Sequence, residues 1–207
     1  MKKNICINIF VCIVTFTALI VLACSVEAYV QSVESVTTYK EQIENGNEAL
    51  ASENINDIIT TITYSSPATF DEVAYFAQNY DIRIVQIQAR GIAPDGTRIT
   101  IFSRTDKGFE ETEDLLLEQA QADGYELIGV IGIHAMVNSN MLIALQSDSL
   151  TYLADTTGDG FFIGATDSSS IERNNLNEVN VGKLFPQSLY WDLEELGIID
   201  ATAYSKY

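Results

Sequence analysis

Thiols are missing from most of this chain. Its 3 cysteines, Cys6, Cys12 and Cys24, all lie in one apolar stretch near the N-terminus. Everything after Cys24 is therefore without disulfides, thiol nucleophiles and thiolate metal sites, and must be held together by its core. Histidine is almost absent as well. His134 is the only one, which excludes a zinc centre built on several imidazoles and leaves a single side chain with an ordinary pKa near neutrality. Basic residues are scarce: 11 Lys and Arg stand against 29 Asp and Glu, a formal net charge of −18. A field of that sign repels polyphosphates and anionic lipid, so no nucleic acid is expected as a partner, whereas basic proteins and divalent cations suit it. Gly158 and Gly160 lack the spacing and following helix of a dinucleotide fingerprint. No strand-turn-helix nucleophile elbow surrounds Ser65, Ser66 or Ser139, so His134 is expected as a structural residue at a strand end rather than as the base of a triad.

What the chain does have begins with Lys2 and Lys3 followed by the mostly apolar residues 5–24. A transmembrane helix needs about 20 such residues to cross ~30 Å of hydrocarbon, and the two lysines favour a cytoplasmic N-terminus. The body is thus expected outside the cytoplasm of a bacterium, anchored in the cell membrane or secreted. Three fates stay open. Val26-Glu27-Ala28 suits a signal peptidase, Val21-Leu22-Ala23-Cys24 resembles a lipobox that would leave Cys24 acylated, and an uncleaved segment would remain as an anchor. Residues 1–28 read accordingly as a signal peptide or membrane anchor.

Residues 29–55 read as a helical stalk or linker. Tyr29, Val33, Val36, Lys40, Ile43, Asn47 and Leu50 follow the alternating spacing of a coiled-coil seam, with Lys40 and Asn47 interrupting it. A domain is expected over residues 56–155. It opens with a strand containing Ile58, Ile59, Ile62 and Tyr64, followed by a helix whose capping box is Thr69 with Glu72. In residues 81–90 the alternation changes phase, with Ile82 and Ile84 on one side and Val85, Ile87 and Ala89 on the other. Either both faces are covered or a bulge flips the strand. Pro94-Asp95-Gly96 turns the chain into an antiparallel partner. The next helix, Phe109–Asp123, has an acidic first turn and is ended by Gly124, with Phe109, Leu116 and Ala120 inward and Leu115 and Leu117 broadening the stripe. Residues 125–134 are almost continuously apolar, as a central strand should be, and Gly129 and Gly132 mark a close approach. A short helix carrying Met141, Leu142 and Leu145 and a last strand near residues 150–154 follow.

This order predicts an α+β fold: a ferredoxin-like β-α-β-β-α-β sandwich with an appended α-β unit, after the N-terminal membrane or signal helix. The stretch from Ser147 to Asp155 is similar in rhythm to the end of subtilisin-type propeptide inhibitors, a resemblance that implies a prodomain-like protease inhibitor. Residues 156–207 are expected to form an irregular loop and a C-terminal helix docked by Trp191, the only tryptophan.

Calcium is the one metal the motifs suggest. Asp155, Asp159 and Gly160 occupy first, fifth and sixth places of a calcium loop, but Thr166 stands at the twelfth and Asp167 comes one residue late. The candidate ligands are Asp155, Asp159 and Asp167. The leading expectation is a non-enzymatic domain for protein interaction or regulation at the bacterial envelope. The alternatives are a calcium-dependent module or carboxylate-based hydrolase, and the prodomain-like inhibitor.

Overall fold

The structure is a computed structural model that describes residues 33–105, 108–158, 185–186 and 188–199. The apolar segment, its processing sites and most of the loop after residue 158 lie outside the described residues. Among the described residues no helix is long and apolar enough to cross a membrane.

The strands are β1 (Ile58–Ala68), β2 (Arg83–Ile92), β3 (Arg98–Arg104), β4 (Glu126–Val137) and β5 (Thr151–Asp155). The helices are α1 (Val33–Ala51), α2 (Phe70–Asn79), α3 (Phe109–Asp123), α4 (Leu142–Gln146), entered through a 3-10 turn at Ser139–Met141, and α5 (Tyr190–Glu195). One sheet of order β3-β2-β4-β1-β5 contains all five strands, and every neighbouring pair is antiparallel. The class is α+β, and the elements from β1 to β5 follow in the expected order. Their placement differs from a sandwich with an appendage. β4 lies between β1 and β2, β3 folds outward to one edge, and β5 completes the other edge beside β1.

Bulges explain how β4 and β2 serve two faces. In the β2–β4 ladder Gln88 pairs with Gly132 and Ala89 with Val130, so Ile131 has no partner; Ile128 is skipped in the same way between Gly129 and Leu127. Ile128 and Ile131 turn towards α5, while Val130, Ile133, Ala135 and Val137 enter the larger core on the opposite face. On β2 the pairs Ile84–Ala135 and Gln86–His134 skip Val85. That bulge flips the phase seen in the sequence and brings Ile82, Ile84, Ile87 and Ala89 to the same core.

The β4 glycines are required by the closeness of β1. A Cβ on Gly132 would lie 2.7 Å from the Ile62 carbonyl oxygen, and one on Gly129, whose φ is +151°, would lie 2.8 Å from that of Ala68. Both contacts are with backbone, which yields only by moving a central strand. Gly132→Ala is therefore expected to cost about 1–3 kcal/mol, the usual range for overpacking, and to lower the thermal midpoint followed by circular dichroism. An unchanged midpoint would show that β1 withdraws freely.

α2 begins at the expected capping box: the Glu72 amide donates to Thr69 Oγ1 at 3.2 Å and the Thr69 amide to Glu72 Oε2 at 2.8 Å. α3 ends at Gly124 in the left-handed region, φ 73°. Its inward stripe is narrower than expected. Thr112, Leu116 and Ala120 are buried, whereas Leu115 and Leu117 are 42% and 47% exposed. With about 100° per residue, the neighbours of a buried position at the centre of a helix face are turned well aside.

The described part of the segment expected as a stalk, Val33–Ala51, packs on the domain, with Val33 itself exposed. Val36, Ile43 and Asn47 are buried, on the seam that the heptad spacing picked out, but the helix packs on this chain's own β5 edge and on α4 with its 3-10 turn. Asn47 is the tie. Its Nδ2 donates to the Ala154 carbonyl at 2.7 Å, and its Oδ1 accepts from Thr156 Oγ1 at 2.7 Å. α2, α3 and α4 cover one face of the sheet through Phe70, Val73, Phe76, Leu116, Leu142 and Leu145, while α5 covers the other through Tyr190 and Leu193.

Candidate functional site

Strand alternation places Gln86, Gln88 and Arg90 of β2 beside Thr100, Phe102 and Arg98 of β3 on the α5 face, in register Gln88–Phe102 and Arg90–Thr100. α5 is clamped here by charge. Arg90 is fully buried; its Nη2 and Nε donate to the Glu194 carboxylate at 2.6 and 3.3 Å, and its Nη1 donates to Thr100 Oγ1 at 2.8 Å. Arg98 Nη1 adds a third donor to Glu194 at 3.1 Å. The Trp191 ring lies 4.0 Å from the Arg90 guanidinium, and its Nε1 donates to Thr100 Oγ1 at 2.9 Å. The anchors sunk into the core are thus Tyr190 and Leu193, both fully buried, while Trp191 caps the ion pair and stays 36% exposed.

Beside this clamp a cleft of about 590 Å³ opens between the sheet and α5, within the usual range for small-molecule sites. Gln86, Gln88 and His134 line its sheet side, Thr100 and Phe102 its β3 side, and Trp191 and Asp192 its helix side; Phe185, Pro186 and Ser188 also contribute to its lining. Phe102 is 57% exposed.

His134 lies within β4 rather than at its end. Gln88 Nε2 stands 2.7 Å from its Nε2, and Phe185 stacks on the ring at 4.5 Å with the planes 4° apart. Burial pushes its pKa down to about 4, so the ring is neutral near neutral pH. With the Gln88 amide nitrogen donating, Nε2 accepts and Nδ1 carries the proton. That Nδ1 is buried with no partner among the described residues. The Asp192 carboxyl is raised above its ordinary pKa by burial and then by Glu195 nearby.

Asp155 belongs to a different construction. It shares a cross-strand row with His134, because Thr61 pairs with both, yet Thr61 donates to the Pro186 carbonyl between them at 2.8 Å and Asp155 does not line the cleft. Asp155 Oδ1 accepts from the Thr157 amide at 2.9 Å and its hydroxyl at 2.7 Å, and Oδ2 accepts from the Tyr39 hydroxyl of α1. Burial and this bond push the Tyr39 pKa up to about 12. The carboxylate is thereby a tie between α1 and β5. Asp159 and Asp167 lie outside the described residues. Among the described residues no group of three or more His, Cys, Asp or Glu side chains is placed to hold a metal ion.

Sequence reading singled out His134 and Trp191 but not the glutamines or Phe102 beside them. The available signal was the polar alternation Gln86, Gln88, Arg90 within an otherwise apolar strand, the pattern of a sheet with a second, polar face in use. Comparison with protein-family models, curated proteins and solved structures finds no match for the chain.

Proposed function

We propose that this chain is an extracytoplasmic, non-enzymatic recognition domain, tethered or secreted at a bacterial envelope, which binds its partner through the cleft between α5 and the β2–β3 hairpin. The observation that carries this reading is the convergence of neutral hydrogen-bonding side chains, Gln86, Gln88, His134 and Ser188, with the exposed aromatic Phe102 around one concavity. Convergent polar groups on an aromatic-walled cleft are the usual make-up of a binding site. The charged clamp of Arg90, Arg98 and Glu194 supports it by holding the α5 wall in place. Export is supported by the apolar run behind Lys2 and Lys3.

The test uses the full-length chain in detergent micelles, melted with and without size-fractionated envelope extract. Binding to the native state raises the midpoint, and a rise of about 2 °C or more is expected with at least one fraction. Phe102→Ala should abolish the rise, while Tyr75→Ala, a 66% exposed residue on α2 across the sheet, should preserve it. In spheroplasts, added protease should digest the body and spare a cytoplasmic marker. No rise with any fraction, or one that Phe102→Ala leaves intact, would sink the cleft as the binding surface; a protected body would sink the location.

A further inference from the structure

We infer that the cleft takes a neutral carbohydrate, a mono- or disaccharide unit whose apolar ring face lies on Phe102 and whose hydroxyls are read by Gln86 and Gln88. This rests on the recognition reading above and names its ligand class.

Size comes first: a cleft of about 590 Å³ suits a compact ligand rather than a flat protein surface. The kind of polar group then narrows the chemistry. Gln86 and Gln88 offer donors and acceptors without net charge, and His134 is neutral. Such amides match a ligand that itself alternates donor and acceptor on each group, which is what a polyol does. His134 adds a neutral polar group to the cleft lining at only 4% exposure, under the stacked Phe185 ring and with its Nε2 beside Gln88.

Charged ligands fit less well. Among the described residues no Lys or Arg lines the cleft, Asp192 does, and the chain carries −18 overall, so an anion would enter against the field. A quaternary cation is held best by a cage of several open aromatic faces, and Phe102 alone does not make one. Arg90 already lies over the rings of Trp191 and Tyr190, at 4.0 and 5.4 Å, and His134 is stacked on Phe185. Phe102 is left as the exposed apolar platform, which suits the C–H face of a pyranose.

Trp191 is the only tryptophan and forms part of the wall, so its emission reports on the cleft directly. The full-length chain would be titrated with cellobiose, N,N′-diacetylchitobiose and maltose, with choline chloride and the tripeptide Gly-Asn-Gly as the cation and peptide arms. The expected result is a saturable change with at least one disaccharide, at a Kd of about 1 mM or tighter. Gln86→Ala and Phe102→Ala should each weaken it at least about tenfold while keeping the ligand-free melting transition; both positions are half-buried or exposed. Sugar binding unaltered in both variants would overturn the site. A response to choline or the peptide alone would overturn the ligand class and leave recognition through the cleft standing. Silence towards every probe up to about 50 mM, weaker than any affinity the inference allows, would overturn the inference, and the envelope-extract melt would then decide the recognition reading separately.

Discussion

Glu194→Ala is expected to cost about 3–5 kcal/mol of folding free energy, as much as truncating a core anchor of α5, because it strands a buried charge. Arg90 is fully buried, and two of its nitrogens donate to Glu194; removing the carboxylate leaves a buried guanidinium that still donates to Thr100 and the Ile99 carbonyl but has lost its counter-charge. Arg98 loses its acceptor in the same step. The loss should appear as a lowered urea midpoint and, before global unfolding, as a red shift of Trp191 emission when α5 lifts from the sheet. The pair itself need not add much net stability, because desolvating both ions offsets most of their attraction. The double variant Arg90→Met/Glu194→Leu is therefore expected to recover most of what Glu194→Ala loses. A loss below about 1 kcal/mol in the single variant would mean that the pair behaves like an exposed one, and that α5 is held by Tyr190 and Leu193 alone.

The clamp also shows what was legible in the sequence and what was not. Local rules carried far: the Thr69–Glu72 box, the Gly124 stop and the buried run of β4 all depend on residues within a few positions of one another. The phase change at Val85 was visible too, and the register shift between Ile84 and Gln86 decided between its two explanations. Sheet order was not legible, because β4 joins β2 on one side and β1 on the other through pairings far apart in sequence. The heptad spacing of α1 found the right residues but could not say what they faced; Asn47 reads as a flaw in a coiled coil and serves as a hydrogen-bonded tie to β5. The cleft failed to appear for a similar reason. Its sides come from β2, β3, β4 and α5, and Arg90 and Glu194 meet only after the sheet has formed.

Acid should weaken this fold through His134 by on the order of 3 kcal/mol, the scale set by moving its pKa from 6.5 to about 4 at roughly 1.4 kcal/mol per unit. The folded-state pKa lies below the unfolded value, so between about pH 6.5 and 4 the unfolded chain binds more protons and stability falls as pH falls. Below about pH 4 both states are protonated and this contribution is flat. Asp192 acts in the opposite sense. Its carboxyl is raised by burial, so it takes up its proton more readily when folded and adds stability as the pH drops. Urea titrations of the wild type and of His134→Phe, which keeps an aromatic ring against Phe185, isolate the imidazole: the difference in free energy should slope between pH 6.5 and 4 and level off on either side. A flat difference would mean that the ring keeps its ordinary pKa and is open to water. The physical source of the penalty is the burial of the ring, and protonation also disturbs its contact with Gln88. A protonated Nε2 can no longer accept, so Gln88 must turn its amide oxygen towards the ring or lose the bond. Protonation thus rearranges the floor of the cleft before it unfolds the domain, and binding at the cleft should weaken at a higher pH than the one at which the fold itself gives way.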